Sequence, residues 1–148
     1  MKIALGADHA GFDLKEQLIT TLRERGHEIV DLGTHDAQTS VDYPDFGAAV
    51  GRCVAGGNAE LGVAICGSGV GISIAANKIP GIRAALVHDV TSARLAREHN
   101  HANVLCMGER LLGSVVAIDA LSAWLDAVPG GGRHLERIEK ISQLDQRA

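Results

Sequence analysis

Leu61-Gly62-Val63-Ala64-Ile65-Cys66-Gly67-Ser68-Gly69-Val70-Gly71-Ile72-Ser73-Ile74-Ala75-Ala76-Asn77 joins three kinds of local structure without a break. Leu61–Cys66 is an apolar run of strand length, Gly67–Gly71 has glycine at every second position, and a helix starts at Ile72. A buried strand feeding a helix through a glycine loop is the repeating unit of a parallel sheet. The junction also supplies two chemical tools. Unpaired N–H groups at a helix start bind an anion, and the same positive field favours a thiolate over a thiol. Cys66, the last strand residue, therefore stands beside a backbone anion hole, the minimum equipment for moving a proton next to a carbonyl.

Outward from this junction, strands and helices alternate to both ends. On the N-terminal side, Lys2–Gly6 reads as a strand and Phe12–Arg25 as a helix, with Leu14, Leu18 and Leu22 at four-residue spacing and Gly26 as its C′ residue. Glu28–Leu32 reads as a second strand and Gly33–Asp42 as a polar loop. Tyr43–Ala55 is a helix opened by Pro44 and ended by Gly56-Gly57-Asn58. On the C-terminal side, Lys78-Ile79-Pro80-Gly81 marks a turn, Ile82–Val87 a fourth strand broken by Arg83, and Val90–His99 a helix capped by Asp89. Val104–Met107 is a fifth strand and Leu112–Ala127 a long helix. After Val128-Pro129-Gly130-Gly131-Gly132, Arg133–Gln146 forms a final amphipathic helix. The pattern predicts one domain over residues 1–148, an α/β, three-layer α/β/α Rossmann-like fold with a five-stranded parallel sheet and an extra C-terminal helix. Ligands of such sheets bind beyond the carboxyl ends of the strands, where Asp8 and His9, Cys66–Gly71, His88 and Asp89, and Gly108-Glu109-Arg110 fall.

Composition narrows the partners. Aromatics make up only 3% of the chain, so the core must be built from Val, Ile, Leu and Ala, as in helix-covered sheets. A net charge of −4 and a pI near 5.9 argue against nucleic acid or an anionic membrane as the main partner. No stretch approaches the ~18 apolar residues of a membrane span, and Met1–Gly6 runs into Asp8 and His9 without a signal-peptide pattern. Cys53, Cys66 and Cys106 are odd in number and lack a CxxC spacing, so they read as reduced thiols of a cytoplasmic protein. The histidines show no metal-binding spacing, and no metal is expected. The loop Gly67–Gly71 is neither a dinucleotide GxGxxG nor a P-loop, and no cofactor is expected.

Each chemically capable residue also has an ordinary structural reading. Cys66 is either a small buried hydrophobe or a nucleophile or base, and the glycines beside it let a ligand approach. Cys53 and Cys106 lack that context and read as core. The glycine loop is either a tight turn or an anion hole. Asp8 either caps a helix or binds hydroxyls, and His9 is either a loop residue or an anion ligand. His99-Asn100-His101 suits the negative end of a helix dipole, or presents an acid/base pair. Arg133 and Arg137, one turn apart, form a solvated face or, with Arg110, a phosphate clamp. Pro129–Gly132 would let the last helix swing away from its own body.

In order along the chain stand Asp8-His9-Ala10-Gly11, Asp42-Tyr43-Pro44, the run from Cys66 to Lys78, Gly81-Ile82-Arg83-Ala84, His99-Asn100, Asn103-Val104-Leu105 and Gly131-Gly132-Arg133-His134. This set resembles the type B ribose-5-phosphate isomerase family, which also includes galactose-6-phosphate and allose-6-phosphate isomerases. The resemblance covers essentially the whole chain and is most specific from Cys66 to Lys78. It implies the strand order 2-1-3-5-4 and a metal-independent aldose–ketose isomerase, interconverting ribose 5-phosphate and ribulose 5-phosphate through an enediolate. A hexose 6-phosphate or another sugar phosphate is the alternative substrate; a non-catalytic phosphate- or nucleotide-binding module is the alternative of another class.

By the same resemblance, Cys66 is the base acting between C1 and C2. Ser68, at a position often filled by threonine, moves the proton between O1 and O2. Gly67, Gly69, Val70 and Gly71 hold the enediolate. His99 helps open the furanose ring, Asp8 and Tyr43 contact the hydroxyls or ring oxygen, and Asn100 is a further substrate contact. His9, Arg110, Arg133 and Arg137 bind the phosphate. The resemblance further implies a homodimer or dimer of dimers with shared sites, residues 129–148 packing on the partner.

Overall fold

The computed structural model of the chain describes residues 1–145 and consists of five strands and six α-helices. The strands are β1 (Lys2–Ala7), β2 (Glu28–Asp31), β3 (Leu61–Cys66), β4 (Ala84–Leu86) and β5 (Val104–Gly108). The helices are α1 (Phe12–Glu24), α2 (Tyr43–Ala55), α3 (Val70–Asn77), α4 (Val90–Asn100), α5 (Ser114–Asp126) and α6 (Arg133–Leu144). A 3-10 turn, His9–Gly11, precedes α1. All strand pairs are parallel, in the order β2-β1-β3-β5-β4, as the sequence resemblance implies. The final helix expected over Arg133–Gln146 spans Arg133–Leu144, and Gln146 lies outside the described residues.

Side-chain alternation along the strands divides the core in two. Ile3, Leu5, Val63, Ile65, Leu105 and Met107 face one side, where they meet α1, α4 and α5 around the fully buried Trp124. Ala4, Ala64, Cys66, Val104 and Cys106 face the other, where Val50 of α2 and Ile72 and Ala76 of α3 pack on them. Cys66 is thus committed by its register to the α2–α3 side. Gly62 is required on that face, because a Cβ there would lie 2.5 Å from Val50 Cγ1.

Local chemistry explains most boundaries. α1 stops at a Schellman turn: the Gly26 N–H donates to the Arg23 carbonyl at 2.9 Å, and His27 N–H to the Leu22 carbonyl at 3.0 Å. Asp89 caps α4 by accepting from the Ser92 N–H at 2.6 Å. β4 is shorter than the expected Ile82–Val87, because the Arg83 N–H is taken by the Asn103 side chain at 2.8 Å. The long helix begins at Ser114 and not at Leu112, whose N–H closes a turn onto the Gly108 carbonyl at 3.1 Å.

The C-terminal helix does not swing clear of its own chain. Gly130 N–H donates to the Glu98 carbonyl at 2.8 Å, His101 Nε2 donates to the Gly130 carbonyl at 2.6 Å, and Gly81 N–H donates to Asp145 at 2.7 Å. Ile138 is buried, while Leu135, Ile141 and Leu144 stay exposed. The helix is therefore fastened at both ends to its own chain, with an apolar strip left open.

Candidate active site

β1 and β3 are neighbours whose connections leave in opposite directions, and a crevice opens beyond their carboxyl ends. A cavity of about 600 Å³ lies there. Its walls include Asp8 and His9 after β1, Cys66 to Ser68 with Val70 and Gly71 after β3, Tyr43 from α2, and Arg110 after β5. The backbone knits these ends together. Asp8 N–H donates to the Ile65 carbonyl at 3.2 Å, Glu109 N–H to the Cys66 carbonyl and Arg110 N–H to the Gly67 carbonyl, each at 3.0 Å.

Within the loop, the Gly69 N–H donates to Cys66 Sγ at 3.1 Å. Gly69 is left-handed, with φ +77°, and begins α3 without a side-chain cap. Gly69 has no side chain to cap α3, so of its first-turn N–H groups only that of Val70 meets a side chain, and the others face the loop end of the helix. Ser68 is exposed, and its Oγ accepts from the Val70 N–H at 3.3 Å. A Cβ on Gly71 would meet the Tyr43 ring at 2.5 Å, so the ring lies against bare backbone. Arg110 likewise lies over Gly67.

Asp8 takes both roles open to it. Its Oδ1 accepts from Ala10 and Gly11 N–H at 3.0 and 3.1 Å, capping the 3-10 turn. Among the described residues Oδ2 has no such bond, and the side chain lines the cavity. His9 Nδ1 accepts from the Val41 N–H at 3.1 Å, so the neutral ring carries its proton on Nε2 and can donate to an anion. The thiols are unequal. Cys106 lies wholly within the core, and burial, with Cys66 nearby, pushes its pKa far up. Burial also raises Cys53. Cys66 is the cysteine at the cavity.

Two features go beyond the sequence reading: the bond made by Glu109, whose place after β5 was expected, and an apolar rim. Glu109 accepts from the Leu14 N–H at 2.9 Å and ties β5's end to α1. Burial raises its carboxyl pKa, and Asp13 and Asp8 add to this against the opposing Leu14 N–H and Arg110. Ile74 and Leu111 form an exposed apolar rim. Ile74 was legible as the residue one turn beyond Val70 on the open side of α3.

His99, Asn100, Arg133 and Arg137 do not reach this cavity. α4 runs antiparallel to the strands, so its last residues sit at the sheet's opposite edge. There the Gly62 N–H donates to the Asn103 carbonyl at 2.9 Å, and Cys66 stands ~13 Å further along β3. The His99 ring stacks on His134 with centroids 4.5 Å apart, and Arg133 and Arg137 lie exposed on the same first turns of α6. His134's pKa is lowered, by desolvation first and then by His99, Arg133, Arg137 and His101. One chain thus carries two clusters, the thiol cavity and a His–Arg group, at opposite edges.

A doubly wound sheet with a thiol, an uncapped helix start and a carboxylate at its topological switch point defines an α/β small-molecule enzyme. A profile of the Ribose/Galactose Isomerase family matches residues 3–141. Ribose-5-phosphate isomerase B of Escherichia coli is 48% identical over 146 residues, covering 99% of this chain and 97% of that one. Galactose-6-phosphate isomerase subunit LacB of Clostridium acetobutylicum is 45% identical over 127 residues, covering 86% and 73%. The Clostridium thermocellum ribose-5-phosphate isomerase B structure superposes with a TM-score of 0.97 at 49% identity, covering 99% of each chain. The chain belongs to the ribose/galactose isomerase family. Among the described residues no helix is long and apolar enough to cross a membrane.

Proposed function

We propose that this protein is an aldose–ketose isomerase that interconverts ribose 5-phosphate and ribulose 5-phosphate, with Cys66 as the proton-transfer base. The carrying observation is that Cys66 lines the same cavity as Asp8 and the start of α3, which no Gly69 side chain caps. As a thiolate, Cys66 takes the proton from C2. The C–H pair becomes the C1–C2 double bond, and the carbonyl pair moves to O1. Loop N–H groups hold that oxyanion, a contribution of ~10²–10³ in rate per donor. Ser68 passes the proton from O2 to O1, the thiol returns its proton to C1, and C2 is left as the ketone. Asp8 and Tyr43 orient the sugar, while His9 and Arg110 hold the phosphate. A base that needs a free thiol fits the cytoplasm, and all three cysteines are free.

The His–Arg cluster completes the site in a dimer. A second copy brings its His99, Asn100, Arg133 and Arg137 over the cavity, covering the apolar rim of Ile74 and Leu111. His99 then opens the furanose and the arginines close on the phosphate. Mixing inactive Cys66→Ala and His99→Ala chains tests this. Hybrids of a shared-site dimer have one intact site, so random mixing should restore about a quarter of wild-type activity. No recovery would place each site within one chain. For the substrate, kcat/KM across pentose and hexose phosphates decides, since the resemblance to a galactose-6-phosphate isomerase subunit favours the second reading. A six-carbon phosphate better by ~10-fold, or ~1.4 kcal/mol, would overturn the pentose assignment.

A further inference from the structure

Arg83 stands where the chain enters β4, at the sheet edge that carries His99, and its bonds converge on the end of α4. Nε donates to the Asn100 carbonyl at 3.0 Å and Nη2 to the His101 carbonyl at 3.1 Å. Carbonyls at a helix end have no N–H four residues on to bond, and a guanidinium there also suits the negative end of the dipole. The turn needs such a grip. His101 is left-handed, with φ 46° and ψ 40°, a conformation that costs a side-chain-bearing residue ~1–2 kcal/mol. Two other tethers act nearby: Arg97 Nη1 on the Ala102 carbonyl at 3.1 Å, and the His101 ring on Gly130. Neither touches Asn100, the residue directly after His99.

Arg83 itself is held from two sides. Its N–H donates to Asn103 Oδ1 at 2.8 Å, and Asn103 Nδ2 donates to the Gly81 carbonyl at 2.8 Å. Next to it, Asn77 at the end of α3 pairs both backbone groups of Ala84. The Ala84 N–H donates to Asn77 Oδ1 at 2.8 Å, and Asn77 Nδ2 donates to the Ala84 carbonyl at 2.9 Å. β4 is an edge strand, and the Asn77 amide fills the place a further strand would take. Arg83 is therefore an anchored point from which the last turn of α4 hangs.

We infer that Arg83 is a positioning residue for ring opening: by gripping the Asn100 and His101 carbonyls it fixes where the His99 imidazole sits. The inference rests on the reading of His99 as the ring-opening group, and its test separates the two. Ring opening can be read without isomerisation. In the Cys66→Ala protein, ribose 5-phosphate labelled with carbon-13 at C1 is followed by NMR for enzyme-dependent exchange between its α- and β-furanose forms. Exchange requires the ring to open and leaves the C2 proton in place.

Cys66→Ala alone should accelerate this exchange, and adding His99→Ala should remove the acceleration. Adding Arg83→Ala should cut it about 10-fold, since misplacing a reacting group by ~1 Å can cost up to ~10²-fold. Affinity for ribose 5-phosphate, titrated in the same samples, should change by less than about twofold. Arg83→Lys, which keeps the charge but reaches one carbonyl, should fall between. In the His99→Ala background Arg83→Ala should add nothing, because the two act on one step. Exchange unchanged in both Arg83 variants, or lost only in proportion to binding, overturns the positioning role. If Arg83→Ala does not fold, Arg83→Lys decides by the same criteria. Exchange that survives His99→Ala, or is absent in Cys66→Ala, overturns the His99 reading, and the role of Arg83 falls with it.

Discussion

Replacing Gly69 by alanine should damage fold and chemistry together, by amounts the geometry sets. At φ +77° a Cβ on Gly69 would lie 2.6 Å from Leu86 Cδ1, 2.7 Å from the Met107 carbonyl carbon and 2.9 Å from the Gly108 nitrogen. Leu86 can rotate away. The other two atoms belong to β5, paired in register with β3, and retreat only by disturbing that ladder. The left-handed conformation costs alanine ~1–2 kcal/mol, and overpacking adds ~1–3 kcal/mol. A total of ~2–5 kcal/mol lowers Tm by about 6–15 °C for a chain of this size. Any shift that relieves the clash also moves the Gly69 N–H off Cys66 Sγ and tilts the start of α3. A single displaced oxyanion donor lowers kcat by ~10²–10³. Thermal unfolding by circular dichroism and initial rates well below Tm measure the two effects. Gly113→Ala is the control, because Gly113 has no heavy atom within 4 Å of its Cβ position and an ordinary φ of −66°. If Gly69→Ala matches Gly113→Ala in both Tm and kcat, the loop geometry is not what the site depends on.

Near neutral pH, iodoacetamide should label Cys66 and abolish activity in step with labelling, while Cys66→Ser resists; a first label on Cys106, held far from ionisation by burial, would sink that order of reactivity. Arg110→Ala removes a charge-assisted donor worth ~1.5–3 kcal/mol, so KM should rise about 10- to 150-fold and inhibition by inorganic phosphate weaken alongside it; an unchanged KM removes Arg110 from the phosphate site. Asp31 is raised by burial but lowered by more through Lys15 Nζ at 2.7 Å and the Gly33 N–H, so its carboxyl stays below the usual range. A lowered folded pKa stabilises above the unfolded value near ~4 and is lost as pH falls through the folded value. Asp31→Asn leaves the fully buried Lys15 with Glu16 alone, at a cost of ~3 kcal/mol. The Tm gap between wild type and variant should narrow as pH drops below ~4, and a gap independent of pH would refute the pairing.

The central junction was legible because each of its signals has one physical cause. A run of six residues with no polar side chain, ended by Gly67, makes a strand buried on both faces, and all of Leu61–Cys66 is buried. Glycine at position 69 supplies the positive φ the turn needs. Less legible were edges decided by side chains distant in sequence, such as Asn103 taking the Arg83 N–H and shortening β4. The dual role of Asp8 stayed open because a cap uses one oxygen and leaves the other. The place of Glu109 at the end of β5 was legible but its bond was not, since its partner is the backbone of Leu14, far away in sequence. The course of α6 was hidden for another reason. Val128–Gly132 permits many directions, and the one observed depends on Gly130 meeting the end of α4.

Strand direction carries a consequence for specificity. Helices in this sheet run against the strands, so a residue near the end of α4 cannot share an edge with one at the end of β3 in the same chain. If His99 and the arginines of α6 act on Cys66's substrate as proposed, they do so across a subunit boundary, and the reach from thiol to phosphate clamp is then a property of docking. In the proposed dimer, Cys66 and Ser68 would set where C1 and C2 sit, and the second copy's arginines, with His9 and Arg110, would set where the phosphate lies. Preference for a five- or six-carbon phosphate should therefore respond to the apolar residues at the cavity rim and on the open strip of α6, Ile74, Leu111, Leu135 and Ile141, none of which carries a reacting group. Enlarging Leu111 should shift the ratio of kcat/KM for pentose and hexose phosphates while leaving the alkylation rate of Cys66 alone. A ratio that follows only substitutions around Cys66 would place specificity inside the single-chain cavity.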